Sequence, residues 1–166
     1  MRISLILFFL IYSFSSCKIY SDKSDEKVDF SAIPDSLELI AERNLMGDFN
    51  GDNKTDFASI VKNKYNQKTG ILIIHNSIDQ ESFVFGAGKV VDQMTDLNWI
   101  DLFQIIPKGE IIAPSFADEE TGDLLGPDTT QNFKLLGEGI FMSVTETHGG
   151  GIIFWNGNEY QWYHIE

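Results

Sequence analysis

The chain has 166 residues, which fits one domain with a single core, and its 43 % hydrophobic and 22 % charged content is that of a globular protein. Its 12 Lys and Arg against 25 Asp and Glu give a formal net charge of −13, which excludes nucleic acid as a partner because so negative a surface repels phosphate backbones. The single cysteine excludes a disulfide framework and a thiolate zinc site within one chain.

The N-terminal segment is typical of a targeting signal. Met1-Arg2 precedes an almost unbroken apolar run of 12 residues, Ile3 to Phe14, and Ser15-Ser16 follows. This run is too short to cross a bilayer, which needs about 20 apolar residues. A basic start, an apolar middle and small residues at the end predict a secretory signal peptide over residues 1–16. A buried N-terminal helix or strand is the alternative.

The chain's only cysteine, Cys17, comes directly after this signal, and the segment Phe14-Ser15-Ser16-Cys17 resembles the lipobox of bacterial lipoproteins, with Phe14 where Leu is usual. The resemblance implies that Cys17 is lipidated and that its acyl chains anchor the protein in a membrane. Lys18 occupies the position directly after the cysteine, where an Asp would indicate retention in the inner membrane. We therefore expect an outer-membrane protein of the bacterial cell envelope. Residues 17–30 are polar and charge-dense, which predicts a flexible tether.

Residues 31–166 are predicted to form a single β-rich domain, in which β-branched and aromatic runs alternate with turn residues. We predict strands at Leu37–Leu45, Phe57–Asn63, Ile71–His75, Ser82–Phe85, Trp99–Ile105, Glu110–Ala113, Phe133–Leu136, Phe141–Thr147, Ile152–Trp155 and Glu159–His164. Leu37–Leu45 also suits a helical stripe, and Val90–Leu97 is a candidate short helix. Asn156-Gly157 favours a tight turn between the last two strands. The expected fold is mainly β, an antiparallel sheet that is curled or sandwiched, with few short helices and without a complete propeller.

One segment, residues 48–56, carries a pattern with recognisable chemistry. Counting from its first residue, oxygen-bearing side chains stand at positions 1, 3, 5 and 9: Asp48, Asn50, Asp52 and Asp56. Calcium takes about six to eight oxygen ligands, and a loop with alternating inward side chains supplies them. Lys54 can contribute its backbone carbonyl, and Asn53 tolerates the left-handed backbone that the sharp turn needs. Three acids on one short loop repel one another unless a cation lies between them.

This segment is not an EF-hand, because Ser59 replaces the bidentate Glu and the flanking residues look like strands. Followed by the apolar run Phe57–Val61, it resembles the FG-GAP/VCBS type of calcium loop, written D-x-N-x-D-G-x-x-D. The resemblance implies a structural calcium site whose ligands are Asp48, Asn50, Asp52, Lys54 and Asp56. The chain is also similar to small envelope lipoproteins that carry such a loop. An acidic turn without an ion is the alternative.

Three other groups of residues are weaker candidates. The turn-rich stretch Asp118–Gln131 is predicted to be an acidic surface loop that faces solvent or a partner, or that holds a second cation. Glu146 and His148, two apart, could face one side of a strand as an acid/base pair, although a bend beside the following glycines is favoured. The C-terminal aromatic residues are expected to pack in the core, and stacking on sugar rings is the alternative: Trp155, Tyr160, Trp162 and Tyr163.

Together these features predict a lipid-anchored, calcium-braced domain of the bacterial cell envelope that acts by binding rather than by catalysis. Its expected partners are a membrane, through the lipid on Cys17, and a basic protein or a glycan. Two alternatives remain open. One is an inhibitor or immunity-type lipoprotein that acts through the acidic loop 118–128, and the other is an envelope hydrolase with dispersed carboxylates.

Overall fold

The computed structural model describes residues 28–118, 120–146 and 149–166, and it shows a mainly β protein. In this part of the chain the helical segments are two single 3-10 turns, Phe30–Ala32 and Thr129–Gln131. No helix among the described residues has the length and apolar character needed to cross a membrane. The predicted signal peptide, Cys17 and residues 17–27 of the predicted tether lie outside the described residues.

The predicted strands are present, with shifted ends. The strands of the described residues are β1 (Leu37–Gly47), β2 (Asp56–Asn63), β3 (Thr69–Ile74), β4 (Ser82–Gly86), β5 (Leu102–Ile106), β6 (Ile111–Ile112), β7 (Ser115–Ala117), β8 (Leu124–Pro127), β9 (Phe133–Lys134), β10 (Gly139–Ser143), β11 (Gly150–Trp155) and β12 (Tyr160–Ile165). The strands β1 to β4 form an antiparallel sheet in chain order. A second sheet has the order β5-β10-β11-β12-β7-β8, again antiparallel, and β6 pairs with β9.

The two large sheets pack face to face, because alternate residues of both contribute to one buried cluster. From the first sheet come Ala58, Ile60, Ile71 and Ile73, and from the second come Ile140, Met142 and Ile153, each at most 1 % exposed. The period-2 alternation of these strands therefore separates a shared core face from an outer face. The prediction of an antiparallel, mainly β fold with few short helices is confirmed.

Parts of the outer faces of both sheets are also buried. On the first sheet, Leu72 and Ile74 belong to a second cluster that includes Val28, which is 7 % exposed. The packed domain therefore includes Val28, although the sequence predicted residues 17–30 to be a tether. On the second sheet, Ile152 and Phe154 form a third cluster with residues of the β6–β9 ribbon.

The ends of the first sheet determine where the predicted calcium loop lies. The last residue of β1, Gly47, pairs with the first residue of β2, Asp56, so residues 48–55 form a loop at one end of the sheet. The β3–β4 turn is at the same end, because Ile74 pairs with Ser82. The opposite end carries the β2–β3 turn and the segment that follows β4.

The helical alternative for Leu37–Leu45 is wrong, and the structure shows why it arose. A register shift interrupts β1 between Leu39 and Asn44, where Glu42 adopts a φ of 63°. Because of this bulge, Ile40 and Leu45 both pack against the core although five positions separate them. The bulge in β1 thus produces an apolar spacing that also fits a helix.

Two further predictions about local structure are wrong. Val90–Leu97 is not a helix: an isolated bridge joins Val91 to Met94, and Asp92 and Gln93 have φ values of 44° and 65°, outside the right-handed helical region. The stretch 118–131 is not one surface loop, because it contains β8, which pairs with β7 as a short hairpin. These short strands lack a run of alternating apolar residues, which explains why the sequence pattern missed them.

Candidate cation-binding loop

The predicted calcium loop, residues 48–56, joins the two sheets. The backbone N–H of Asp48 donates to Oε2 of Glu138 at 2.8 Å, and the carbonyl oxygen of Asp48 accepts from the N–H of Glu138 at 2.6 Å. Gly137 allows this approach, because a Cβ there would lie 2.6 Å from the Asp48 carbonyl oxygen. The loop therefore connects the end of β1 with the residues just before β10.

Three of the predicted ligands make turns within the loop. Oδ1 of Asp48 accepts from the N–H of Gly51 at 2.7 Å, and Oδ1 of Asn50 accepts from the N–H of Asp52 at 3.0 Å. Oδ1 of Asp52 in turn accepts from the N–H of Lys54 at 2.8 Å. The bonds of Asn50 and Asp52 close Asx turns, in which a side-chain oxygen takes the place of a backbone carbonyl and curls the chain, and the bond of Asp48 spans one residue more.

The backbone at the predicted sharp turn has the expected conformation. Asn53 has a φ of 66°, in the left-handed region that Asn tolerates better than most residues. Gly51 has a φ of 85°, and a Cβ there would lie 2.8 Å from the carbonyl oxygen of Leu136. The loop thus turns tightly at two positions and packs its backbone against the second sheet.

A lysine from the β5–β6 turn lies in the loop, and nothing in the sequence indicated it. The ammonium nitrogen of Lys108 contacts three loop oxygens: Oδ2 of Asp48 at 2.7 Å, Oδ1 of Asn53 at 3.0 Å and the carbonyl oxygen of Gly51 at 3.2 Å. The Lys108 side chain is 39 % exposed, so this ion pair lies at the protein surface. Three oxygens of the loop therefore already converge on one positive charge.

Asp56, the last predicted ligand, is directed into the protein instead. It is fully buried, and its Oδ2 accepts from the N–H groups of Phe49 at 2.9 Å and Asn50 at 3.3 Å. Its Oδ1 accepts from the N–H of Asn76 at 2.8 Å. Burial raises the pKa of Asp56 to about 6, although these N–H donors act in the opposite direction. Asp56 holds the start of the loop and the β3–β4 turn together.

A hydrogen-bonded pair, His75 and Tyr160, lies at the start of the β3–β4 turn. Nε2 of His75 lies 2.8 Å from the hydroxyl oxygen of Tyr160, and Nδ1 lies 3.9 Å from Oε2 of Glu81. Burial lowers the pKa of His75 and raises that of Tyr160. Because His75 is 3 % exposed and packs against the rings of Phe83 and Trp155, it belongs to the core beneath the loop.

The predicted ligands are thus all located, but they do not all point to one centre. Asp48 faces Lys108, whereas both oxygens of Asp56 accept from backbone N–H groups. Within the described residues, no three His, Cys, Asp or Glu side chains form a group that could hold a metal ion. Calcium bound by the predicted set has to displace the Lys108 ammonium and take an oxygen of Asp56 from its backbone donors.

The other candidate residues from the sequence lie in turns, where two of them make hydrogen bonds to the backbone. Asp118 accepts from the N–H groups of Glu120 and Thr121, and these bonds lower the pKa of Asp118. Asp128 caps the 3-10 turn 129–131 in the same way, through Thr130. Glu146 lies exposed in a turn after β10, so the predicted strand ends earlier, and His148 lies outside the described residues.

The C-terminal aromatic residues are partly buried and face both sides of the second sheet. Trp155 and Tyr160 pack edge to face near Phe83. Trp162 packs against Trp99, whereas Tyr163 lies on the outer face. They therefore form no continuous row on one surface, and packing accounts for their positions.

No known protein family, curated protein or solved structure matches this chain.

Proposed function

We propose that this protein is a lipid-anchored binding domain of the bacterial cell envelope, in which loop 48–56 takes up calcium as a structural brace. The lipid anchor and the location rest on the N-terminal sequence up to Cys17. The calcium site rests on the motif in the sequence and on the cation that the loop already accepts in the structure.

The observation that carries the calcium proposal is the position of the Lys108 ammonium. Carboxylate, amide and carbonyl oxygens from Asp48, Asn53 and Gly51 converge on it within 3.2 Å. Hard oxygen donors of these three kinds are the ligands that calcium prefers. The loop is therefore built to receive positive charge, and a divalent ion competes with the lysine for it.

A bound ion would act on the junction between the sheets. Asp48 is hydrogen-bonded through its backbone to Glu138, so ordering the loop also fixes the approach of β10 to β1. Extracellular calcium modules bind at about 10⁻⁴–10⁻³ M. A site with a Kd of about 0.1 mM contributes roughly 1.4 kcal/mol at about 1 mM calcium. That magnitude suits a brace and is too small to drive folding by itself.

Calcium-dependent thermal unfolding of the purified chain tests the metal site. For the wild type we expect about 1 mM calcium to raise the Tm by about 3–6 °C relative to chelator-treated protein. The double variant Asp48→Ala, Asp52→Ala should lose this response. Asp118→Ala, Asp128→Ala is the matched control, because it removes two acids that also make Asx turns. An equal response in all three proteins would exclude loop 48–56 as the site.

Lipidation is tested separately. Mass spectrometry of the protein purified from membranes should show acyl chains on Cys17, and Cys17→Ser should release the protein into the soluble fraction. Because Cys17 is the chain's only cysteine, no other thiol can take its place. Membrane association that persists in Cys17→Ser without acylation would contradict the anchor and leave the calcium test unaffected.

A further inference from the structure

A cavity of about 450 Å³ lies at the end of the sandwich opposite loop 48–56. Its walls come from the end of β10, the start of β11, the end of β12 and the segment between β4 and β5. This volume is within the range of about 300–1,000 Å³ that is usual for small-molecule sites. The cavity shares no residue with the loop, so it stands independently of the calcium proposal.

Two indoles form a wall of this cavity. Trp99 and Trp162 meet edge to face, with ring centroids 6.3 Å apart and an interplanar angle of 84°. Trp162 lies directly on Gly151, where a Cβ would come within 2.1 Å of its ring. Met94 and Val144 add apolar surface. The arrangement presents flat aromatic and apolar walls.

Both indoles have an unsatisfied hydrogen-bond donor. Nε1 of Trp99 and Nε1 of Trp162 are buried and have no hydrogen-bond partner, and Ser115 carries the only other such side-chain atom among the described residues. Buried polar groups in native proteins are nearly always paired, and leaving one unpaired costs about 1–3 kcal/mol. Both unpaired donors belong to side chains that line one cavity, where an acceptor from outside the chain can reach them once an indole turns.

Aromatic contact does not account for both donors. In an edge-to-face pair, one N–H can point to the face of the other ring, which leaves the second N–H unpaired. Among the described residues, the polar side chains at the cavity are Ser143, which is buried, and His164, whose Nε2 lies 2.7 Å from Oδ2 of Asp92.

We propose that this cavity binds an uncharged, apolar small molecule that carries a carbonyl-type hydrogen-bond acceptor. The acceptor takes the indole N–H donors, and the apolar body lies against the tryptophan rings and Val144. A charged ligand is disfavoured because no Lys, Arg, Asp or Glu side chain lines the cavity among the described residues. Since both Nε1 atoms are covered in the structure, binding includes a small rotation of an indole.

Indole NMR resonances give a direct test, because the chain has three tryptophans. The third, Trp155, packs near His75 at the opposite end and serves as an internal control. The probes are 1-tetralone and tetralin, which share their ring skeleton and differ in the carbonyl group. In the full ¹⁵N-labelled chain, 1-tetralone should shift the indole signals of Trp99 and Trp162 saturably and leave Trp155 unchanged. Tetralin should bind about tenfold more weakly, the effect of about one hydrogen bond.

Variants separate the cavity from general hydrophobic binding. Val144→Phe, at the partly exposed mouth, should weaken 1-tetralone binding at least tenfold. Ile78→Phe is the matched control, because Ile78 is 98 % exposed in the β3–β4 turn, away from the cavity. Equal affinities for the two probes, a parallel shift of Trp155, unchanged binding in Val144→Phe or an absence of any shift would each overturn the proposal.

Discussion

Gly151→Ala tests the packing at the wall of the cavity. A Cβ at position 151 would lie 2.1 Å from two ring atoms of Trp162, so contact at van der Waals distance requires the ring to move by about 1.5 Å. The ring packs edge to face on Trp99, and both indoles pack against the main core cluster, so a ring displaced toward the cavity loses part of these contacts. We therefore expect the substitution to destabilise the fold by overpacking.

The expected magnitude follows from two opposing terms. Overpacking a well-filled core costs about 1–3 kcal/mol, and Gly→Ala returns about 0.4–1 kcal/mol by restricting the unfolded chain. The net loss should be about 1.3 kcal/mol, which for a domain of this size lowers the Tm by roughly 3–5 °C. Gly149→Ala is the matched control, since its Cβ would have no neighbour closer than 3.2 Å.

Urea unfolding followed by tryptophan fluorescence measures both free energies of unfolding, and a double-mutant cycle identifies the cause. If the clash is with Trp162, the smaller ring of Trp162→Phe should reduce the cost of Gly151→Ala by at least about 1 kcal/mol. Equal stability of Gly151→Ala and Gly149→Ala would refute the reasoning. Additivity of Gly151→Ala with Trp162→Phe to within about 0.5 kcal/mol would locate the strain elsewhere.

Three further predictions concern charges at the loop end of the sandwich. Lys108→Met should cost about 0.5–1 kcal/mol without calcium, as expected for a partly exposed ion pair, and should tighten calcium binding measured by calorimetry. Because the pKa of Asp56 is raised to about 6, the protonated carboxyl stabilises the folded state below pH 4, and this contribution is lost as the pH rises through 6. The free energy of unfolding, measured by urea titration, should therefore decline by up to about 3 kcal/mol over this pH range, and Asp56→Asn should remove the decline. His75 has the opposite effect, since its lowered pKa favours the neutral imidazole in the folded state. The free energy of unfolding should therefore decrease as the pH falls below 6.5, and this decrease should be smaller in His75→Gln.

The sequence predicted the fold well where strands alternate regularly, and less well where tertiary packing decides. β2, β3, β11 and β12 carry continuous apolar or aromatic runs, and they were predicted to within about two residues at each end. The pair β7 and β8 lacks such a run, and the place of this hairpin beside β12 is a contact between distant residues that no local pattern encodes. In segment 90–97, buried Leu97 produces an apolar spacing by filling the core, without any helix.

For loop 48–56, too, the features set by neighbouring residues were predictable, and the contacts with residues distant in the chain were not. Its turns and the left-handed Asn53 were predictable, because Asx turns and backbone preference depend on neighbouring residues. Lys108 and Glu138, which close the loop, come from 60 and 90 residues along the chain from Asp48. The inward direction of Asp56 is likewise set by the amide of Asn76, which only the folded sheet brings near.

The competition between Lys108 and calcium determines what kind of site the loop can be. A divalent ion that displaces the ammonium gains Asp48 but releases a lysine whose charge had balanced that carboxylate. It must also draw Asp56 from its backbone amides, a rearrangement that costs part of the binding energy. Both costs would lower the affinity of the proposed site. Under the calcium proposal, the loop would therefore saturate only where calcium is abundant, as it is outside the cell, and its response there would be a gain in stability of the junction between the sheets.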